Sequence, residues 1–291
     1  MENRMVDLHV HSTESDGTLS PQEVMLAAKE AGLAAVALTD HDTVSGIAKA
    51  APVAHELGLE LVPGIELSTE YRSPFGNRAG KEIHIVGLYL DTKNKELLEK
   101  TEEFQECRNN RNAQMVAALQ AEGFDITMEA LAAQNPNCVI TRANIARFLY
   151  EHGYIKTMQE AFSKYIGDGC RCYVRRFQIT PMEAVSLIHS WGGISVLAHP
   201  MLYRMSSVHL QHMIDELKDA GLDGIEALYS THTPGEEKLV KKIAAQNGLL
   251  ISGGSDFHGA NKASIRIGRG LGSLSIPYSI LSEIQKRRAI K

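Results

Sequence analysis

Short apolar runs rich in β-branched residues recur along the chain, and the segments between them repeat their apolar positions at helical spacing. The runs at 5–8, 35–38, 59–63, 83–90, 194–198, 224–227 and 249–252 predict strands, because brief apolar stretches bounded by turn residues suit buried strands. Several helices open on a start signal: Ser20-Pro21-Gln22-Glu23, Thr180-Pro181-Met182-Glu183 and Thr233-Pro234-Gly235-Glu236. Each joins a cap hydroxyl, a proline at the first helical position and a glutamate placed to reach back to the cap. Strands alternating with helices predict an α/β architecture, a mostly parallel sheet with helices outside it.

The alternation breaks between Asp91 and about Tyr173. Residues 95–122 predict one long amphipathic helix with Leu97, Leu98, Phe104, Met115, Val116 and Leu119 on its apolar stripe, ended by Gly123. Further helices are expected at 127–133, 141–152 and 157–166. This stretch reads as a small helical insertion, dividing the chain into 1–98, 99–172 and 173–291. There is no internal repeat and no low-complexity segment.

Composition narrows the function classes. With 291 residues, 44% of them hydrophobic, the chain can bury a substantial core. No apolar run approaches the ~20 residues of a membrane span, and the first residues carry no signal-peptide pattern, so a cytoplasmic location is expected. Cys107, Cys138, Cys170 and Cys172 are too few for a disulfide framework and are expected as reduced thiols. A net charge of −5 argues against a general nucleic-acid coat. Residues 139–180 run against that balance, with Arg142, Arg147, Lys156, Lys164, Arg171, Arg175 and Arg176 facing only Glu151, Glu160 and Asp168.

Candidate chemistry gathers just past strand ends. Asp7-Leu8-His9-Val10-His11 and Ser255-Asp256-Phe257-His258 each set metal-type ligands two residues apart, which on an extended chain aims both to one side. Asp40 and His41 follow the second strand, Glu66 the third, and His199 the fifth. That is the face on which parallel α/β proteins carry their sites. His84 is the exception, at the start or middle of its strand. Simpler readings exist for each position: Asp16-Gly17 as a turn, Asp40 and Asp42 as helix caps near Thr43, Glu66 as a solvated carboxylate. His55, His209 and His212 fall on helical segments and are expected to have no role in a site. Imidazoles with carboxylates and no thiolate suit Mn²⁺, Zn²⁺ or Fe²⁺. Clustered divalent ions favour phosphoester hydrolysis, because they hold the charge that develops on phosphoryl oxygens.

Together these motifs, with Ser15-Asp16-Gly17, Leu38-Thr39-Asp40-His41-Asp42, Pro63-Gly64-Ile65-Glu66, Ile83-His84-Ile85-Val86-Gly87 and Leu197-Ala198-His199-Pro200, resemble the PHP (polymerase and histidinol phosphatase) family. The resemblance implies a distorted (β/α)7 barrel with three divalent metals at its C-terminal face, Mn²⁺ foremost. It implies His9, His11, Glu66 and Asp256 around the first metal, and Glu66 with His84 and His199 around the second. Asp16, His41 and His258 would hold the third. A hydroxide held between metals would attack phosphorus.

The branch most resembled has nucleoside 3′,5′-bisphosphate phosphatase and 5′-3′ exoribonuclease members, whose insertion closes over the metals. On that pattern Arg142 and Lys164 are expected to bind substrate phosphate, and Asp40, Asp256 and His232 to serve catalysis. For Asp40 that means hydrogen bonding a metal-bound histidine or carrying a proton. Asn144 and Cys172 depart from the His and Pro frequent at their positions. The expected substrate is a small phosphorylated nucleotide or short oligonucleotide, with no membrane and no stable protein partner. Alternatives are a histidinol-phosphate or other sugar-phosphate phosphatase, an amide hydrolase, and a non-catalytic metal-binding accessory protein.

Overall fold

Each predicted apolar run becomes a strand, and the strands lie side by side in chain order. The computed structural model describes residues 4–75, 80–134, 139–175 and 178–290, so Cys138 and Arg176 lie outside the described residues. A seven-stranded sheet is formed by β1 (Met5–Val10), β2 (Leu33–Leu38), β3 (Glu60–Tyr71), β4 (Lys81–Leu88), β5 (Ile194–Leu197), β6 (Gly224–Tyr229) and β7 (Leu250–Gly254). The sheet curls until its edges nearly meet: the amide of Asp256 donates to His9 O at 2.8 Å and that of His11 to Phe257 O at 3.0 Å.

One face of the strands, with Val6, Leu8, Ala35, Val62, Leu88 and Val196, packs on Leu281 and Ile284 of α10 (Tyr278–Ile290). The other face packs against α1 (Pro21–Glu30), α2 (Ser45–Glu56), α7 (Pro181–Ser190), α8 (Ser207–Asp219) and α9 (Pro234–Asn247). The starts of α1, α7 and α9 are the expected capping boxes, worth about 1 kcal/mol each. Helix α2 has no side-chain cap, so Asp40 and Asp42 are not spent there.

Strand β3 is longer than its apolar run suggested. Its second half pairs antiparallel with β4, from Gly64 opposite Leu88 to Tyr71 opposite Lys81. Backbone pairing across this hairpin extends the strand through polar Glu66, Ser68, Thr69 and Glu70, which an apolar-run criterion passes over. Strand β4 is also antiparallel to β5, whereas the other neighbours are parallel. This reversal brings the start of β4 to the end of the barrel where the other strands finish.

Helices α3 (Lys95–Ala121), α4 (Met128–Gln134), α5 (Arg142–Glu151) and α6 (Met158–Lys164) build a separate core from Met115, Leu119, Ile145, Leu149 and Ile166. Helix α3 bridges the two: Leu97 and Phe104 pack into the core of the outer barrel layer. The boundary expected at residue 98 therefore falls inside a continuous helix. Leu98, placed on the apolar stripe by periodicity, is 43% exposed, because the face α3 buries is set by the barrel below it.

Candidate metal centre

The end of the barrel where β1, β2, β5, β6 and β7 finish is built from chain that has just left a strand. His9 and His11 share a side at the end of β1, where the register with β2 slips between Asp7 and Val10. His41 bridges to Glu66 beyond β2. His84 opposes Ser68 across the hairpin, so an early residue of an antiparallel strand arrives beside late residues of parallel ones. His199 (φ 27°) and Asp256 (φ 57°) adopt left-handed backbone, uncommon for residues other than glycine and concentrated at functional sites. The amide of His199 is tied to Glu226 Oε2 at 2.8 Å.

Glu66, 1% exposed, is the centre. Its Oε2 lies 3.2 Å from His9 Nε2, 3.2 Å from His11 Nε2 and 3.1 Å from His41 Nδ1. Its Oε1 lies 2.9 Å from His84 Nδ1 and 3.1 Å from His199 Nε2. On one flank, Asp256 Oδ1 is 3.4 Å from His11 Nε2 and 3.8 Å from His9 Nε2. On another, Asp16 Oδ1 is 3.1 Å from His258 Nε2 and 3.9 Å from His41 Nε2. Every residue expected as a metal ligand is thus brought into one cluster. Within it, ligand atoms of His11, Asp16, His41 and His258, of His9, His11 and Asp256, and of His41, Glu66 and His84 each lie within 4.8 Å of one another.

The donor set fits divalent cations. His9 Nε2, His11 Nε2, His41 Nδ1 and Asp16 Oδ1 are buried without a hydrogen bond, an expensive state for polar atoms unless something else binds them. Burial alone would raise the pKa of Glu66, but the surrounding His9, His41 and His84 outweigh it and hold the carboxyl well below its usual range. Asp16 is held low against burial by His258 and His41, and Asp256 by Lys262 and His258. Burial acts to lower His84, yet Glu66 and Glu82 push it up to about 10. The cluster therefore concentrates negative charge that protons occupy when cations do not.

Further residues orient these groups, and the sequence reading did not single them out. His9 Nδ1 donates to Glu226 Oε1 at 3.1 Å and His84 Nε2 to Glu82 Oε1 at 3.1 Å, the carboxylate–histidine arrangement that fixes a ring's tautomer and direction. Tyr229 Oη and Lys262 Nζ each donate to Asp256 Oδ2 at 2.6 Å. Glu226 had a signal: a carboxylate in the middle of the apolar run of β6, 2% exposed.

Two expected catalytic residues lie elsewhere. Asp40 makes no hydrogen bond to a cluster histidine. It accepts from Ser12 N at 2.7 Å, Ser12 Oγ at 2.7 Å and Ser15 Oγ at 2.6 Å, and burial pushes its carboxyl up to about 6. It clamps the loop after β1, and Ser15 in turn contacts His11 Nδ1 at 3.4 Å. His232 stays outside the cluster because its Nδ1 is drawn to Ala227 O at 3.0 Å, with its ring 5.1 Å from that of Tyr229.

The helical segment walls one side of the centre. A cleft of about 190 Å³ is lined by Asp16 and His41 from the barrel and by Arg108, Arg111, Arg142 and Phe162 from the helices. Arg108 pairs with buried Asp42, whose Oδ1 accepts from Ser68 N at 2.8 Å. Arg142 reaches the cleft, paired with Glu82 at 3.0 Å. Lys164 does not: it is 58% exposed and pairs with Glu160 one turn back at 2.7 Å. The reason is helical geometry, since Phe162 of α6 faces the cleft and a residue two positions on points about 200° away. Asn144 is buried and accepts from Thr141 N at 2.8 Å, closing the start of α5, and Cys172 is buried in the helical core.

Arg108 and Arg111 carried a readable sign as well. They occupy the stripe of α3 that also buries Phe104 and Met115, where a cation needs a partner. Much of the basic excess of this region is spent in pairs: Arg171 with Glu122 at 2.9 Å, Arg175 with Glu70, and Arg147 with Asn261 at 2.6 Å.

Comparison with known proteins agrees with this architecture. The family described as PHP domain matches residues 7–189. A 5′-3′ exoribonuclease of Haemophilus influenzae is 34% identical over 252 residues, covering 87% of this chain and 89% of that protein. A 3′,5′-nucleoside bisphosphate phosphatase of Chromobacterium violaceum is 34% identical over 267 residues, covering 90% of each. A solved structure from Chromobacterium violaceum, described as an amidohydrolase with bound sulfate and no metal, superposes with a TM-score of 0.82 at 32% identity. It covers 97% of this chain and 96% of its own.

Proposed function

Since the chain belongs to the PHP domain family and is a metal-dependent phosphoesterase, we propose that it hydrolyses the P–O3′ bond of small nucleotides. On a nucleoside 3′,5′-bisphosphate this releases inorganic phosphate and leaves a 3′-hydroxyl. On a short 5′-phosphorylated oligonucleotide the same bond breaks, and the phosphate departs with the rest of the strand. The observation carrying the reading is the join between the Glu66-centred cluster and the arginine-lined cleft, which share Asp16 and His41.

In this reading His9, His11, Glu66 and Asp256 hold one cation, Glu66, His84 and His199 a second, and Asp16, His41 and His258 a third. Mn²⁺ is the proposed ion. Bound there, such ions supply Lewis-acid stabilisation of phosphoryl oxygens and a water acidified toward neutrality. The chain's own part is to hold the substrate. Arg142, Arg108 and Arg111 face the cleft and offer planar guanidinium groups suited to phosphate oxygens. Glu226, Glu82, Tyr229 and Lys262 keep the ligand side chains directed at the centre. Residues 99–172 act as the wall over the substrate, and the cytoplasm, where such nucleotides and reduced thiols occur together, is the proposed compartment.

The test is phosphate and product release with added Mn²⁺ from adenosine 3′,5′-bisphosphate, a 5′-phosphorylated RNA oligomer and histidinol phosphate. Turnover of either nucleotide substrate well above histidinol phosphate supports the proposal. Preference for histidinol phosphate overturns it.

A further inference from the structure

We propose that an aromatic trough continuing outward from the arginine-lined cleft binds a nucleoside of the downstream strand beyond the one joined to the scissile phosphate, which makes a short oligonucleotide the better substrate. This inference rests on the nucleotide reading above and adds a site that the P–O3′ chemistry alone does not require. The trough has a volume of about 660 Å³ against about 190 Å³ for the cleft beside the cluster. The two are continuous, because both are lined by Glu82, Arg142 and Tyr173. The inner cleft is small for a whole nucleotide, while the outer one falls within the usual range for an organic ligand.

Its position follows from the antiparallel hairpin. Strand β3 runs on from Glu66 at the cluster to Tyr71, paired with Lys81, and at ~3.4 Å per residue this carries the trough about 17 Å from the centre. That exceeds the span of one nucleotide whose phosphate sits at the cluster. The lining matches the occupant. Tyr173 stands where the two clefts meet, with the Arg142 guanidinium 5.8 Å from its ring centre. At the far end Phe75 is 50% exposed, and one face of its ring is stacked on His209 at 5.4 Å with an interplanar angle of 7°. His212 meets the same ring edge-on at 4.7 Å.

A half-exposed phenyl ring braced by two imidazoles offers a flat surface at little entropic cost. Bases stack on such surfaces without regard to sequence. Charge is mixed along the trough, with Lys81, Arg142, Arg175 and Arg204 beside Glu70, Glu82 and Asp168, so the exposed ring of Phe75 is what sets its far end apart. Recognition here is by stacking, with phosphate held nearer the cluster.

The experiment compares Phe75→Ala and Phe75→Trp with the wild-type protein, on a 5′-phosphorylated RNA trimer and on adenosine 3′,5′-bisphosphate. Phe75→Ala is expected to raise KM for the trimer about tenfold, the scale of one lost base–aromatic stack, while shifting the bisphosphate less than twofold. Phe75→Trp should restore trimer binding. Equal losses on both substrates, no loss on the trimer, or a wild-type protein that turns over the bisphosphate alone would each overturn the trough assignment and leave the nucleotide reading standing. A wild-type protein inactive on both substrates overturns the nucleotide reading and the trough together.

Discussion

The barrel end and the helical wall that faces it present opposite kinds of charge. At the barrel end, His9, His11, Glu66 and Asp256 are each at most 5% exposed and converge on one another. Their geometry is held by strands, by two left-handed residues and by carboxylates such as Glu226. On the wall, cations sit on helices and are balanced one at a time: Arg108 by Asp42, Arg142 by Glu82, Lys164 by Glu160. A closely packed set of negative and imidazole groups is a receptor for cations, costly when empty. An arginine such as Arg142, paired at the rim with half-exposed Glu82, is a receptor for anions, able to exchange its carboxylate partner for a phosphate. On the proposed reading the chemistry belongs to the first region and the grip on substrate to the second.

The strongest way to break this comparison is Glu66→Gln. It removes the carboxylate shared by His9, His11, His41, His84 and His199, and is expected to lower kcat by roughly 10³-fold or more, as losing central electrostatic stabilisation does. A metal assay on the same variant should show fewer ions bound. Retained activity would deny Glu66 its central place.

Next comes Arg142→Ala, with an expected rise in KM of about 10²-fold and a smaller fall in kcat, from the loss of charge-assisted bonds to phosphate. If kcat fell while KM held, the wall would belong to the chemistry after all. Glu226→Gln should weaken metal affinity by about 10- to 100-fold, as removal of a ligand-orienting carboxylate does. Activity should return when metal is added in excess.

Acid–base behaviour sharpens the same contrast. His84 is held protonated up to about pH 10 in the metal-free protein, so its stabilising pairing with Glu66 is fully present below about pH 6.5 and fades as pH rises through the folded value. Metal-free protein should therefore lose thermal stability from pH 7 toward pH 10. Adding Mn²⁺ at pH 7 should release protons, measured by calorimetry in buffers of different ionisation enthalpy. Absence of proton release would mean that the imidazoles are already neutral. The smallest effect belongs to Lys164→Ala: with Lys164 exposed and paired only along its own helix, kcat and KM should stay within about twofold of wild type. A large loss would require α6 to turn its Lys164 face inward when substrate binds.

The cluster was legible in the chain because strand ends are local. Two ligands at a spacing of two after an apolar run share a side wherever that run folds, which covers His9 with His11. His199 and Glu66 needed only their positions after a run. His84 appeared out of place, since no local pattern reveals that β4 runs backwards. Arg108 was hidden for a related reason: its importance depends on which face of α3 meets the barrel, which is decided by packing against Asp42 and the strands.

By itself, then, the sequence determined the strands and helices, the capped starts of α1, α7 and α9, and the identity of the cluster's side chains. The elements and caps rest on periods of two and 3.6 residues and on hydrogen bonds within a single turn, whereas the full ligand set, Asp16 and His84 included, was implied by the resemblance of the motifs to the PHP family. Only the tertiary structure decided the reversal of β4, the turning of Asp40 toward Ser12 and Ser15 instead of the histidines, the exchange of Lys164 for Arg108 and Arg111 at the cleft, and the trough beyond Tyr173. Each of these depends on contacts between residues far apart in the chain, where side-chain direction is set by what the neighbouring element leaves room for.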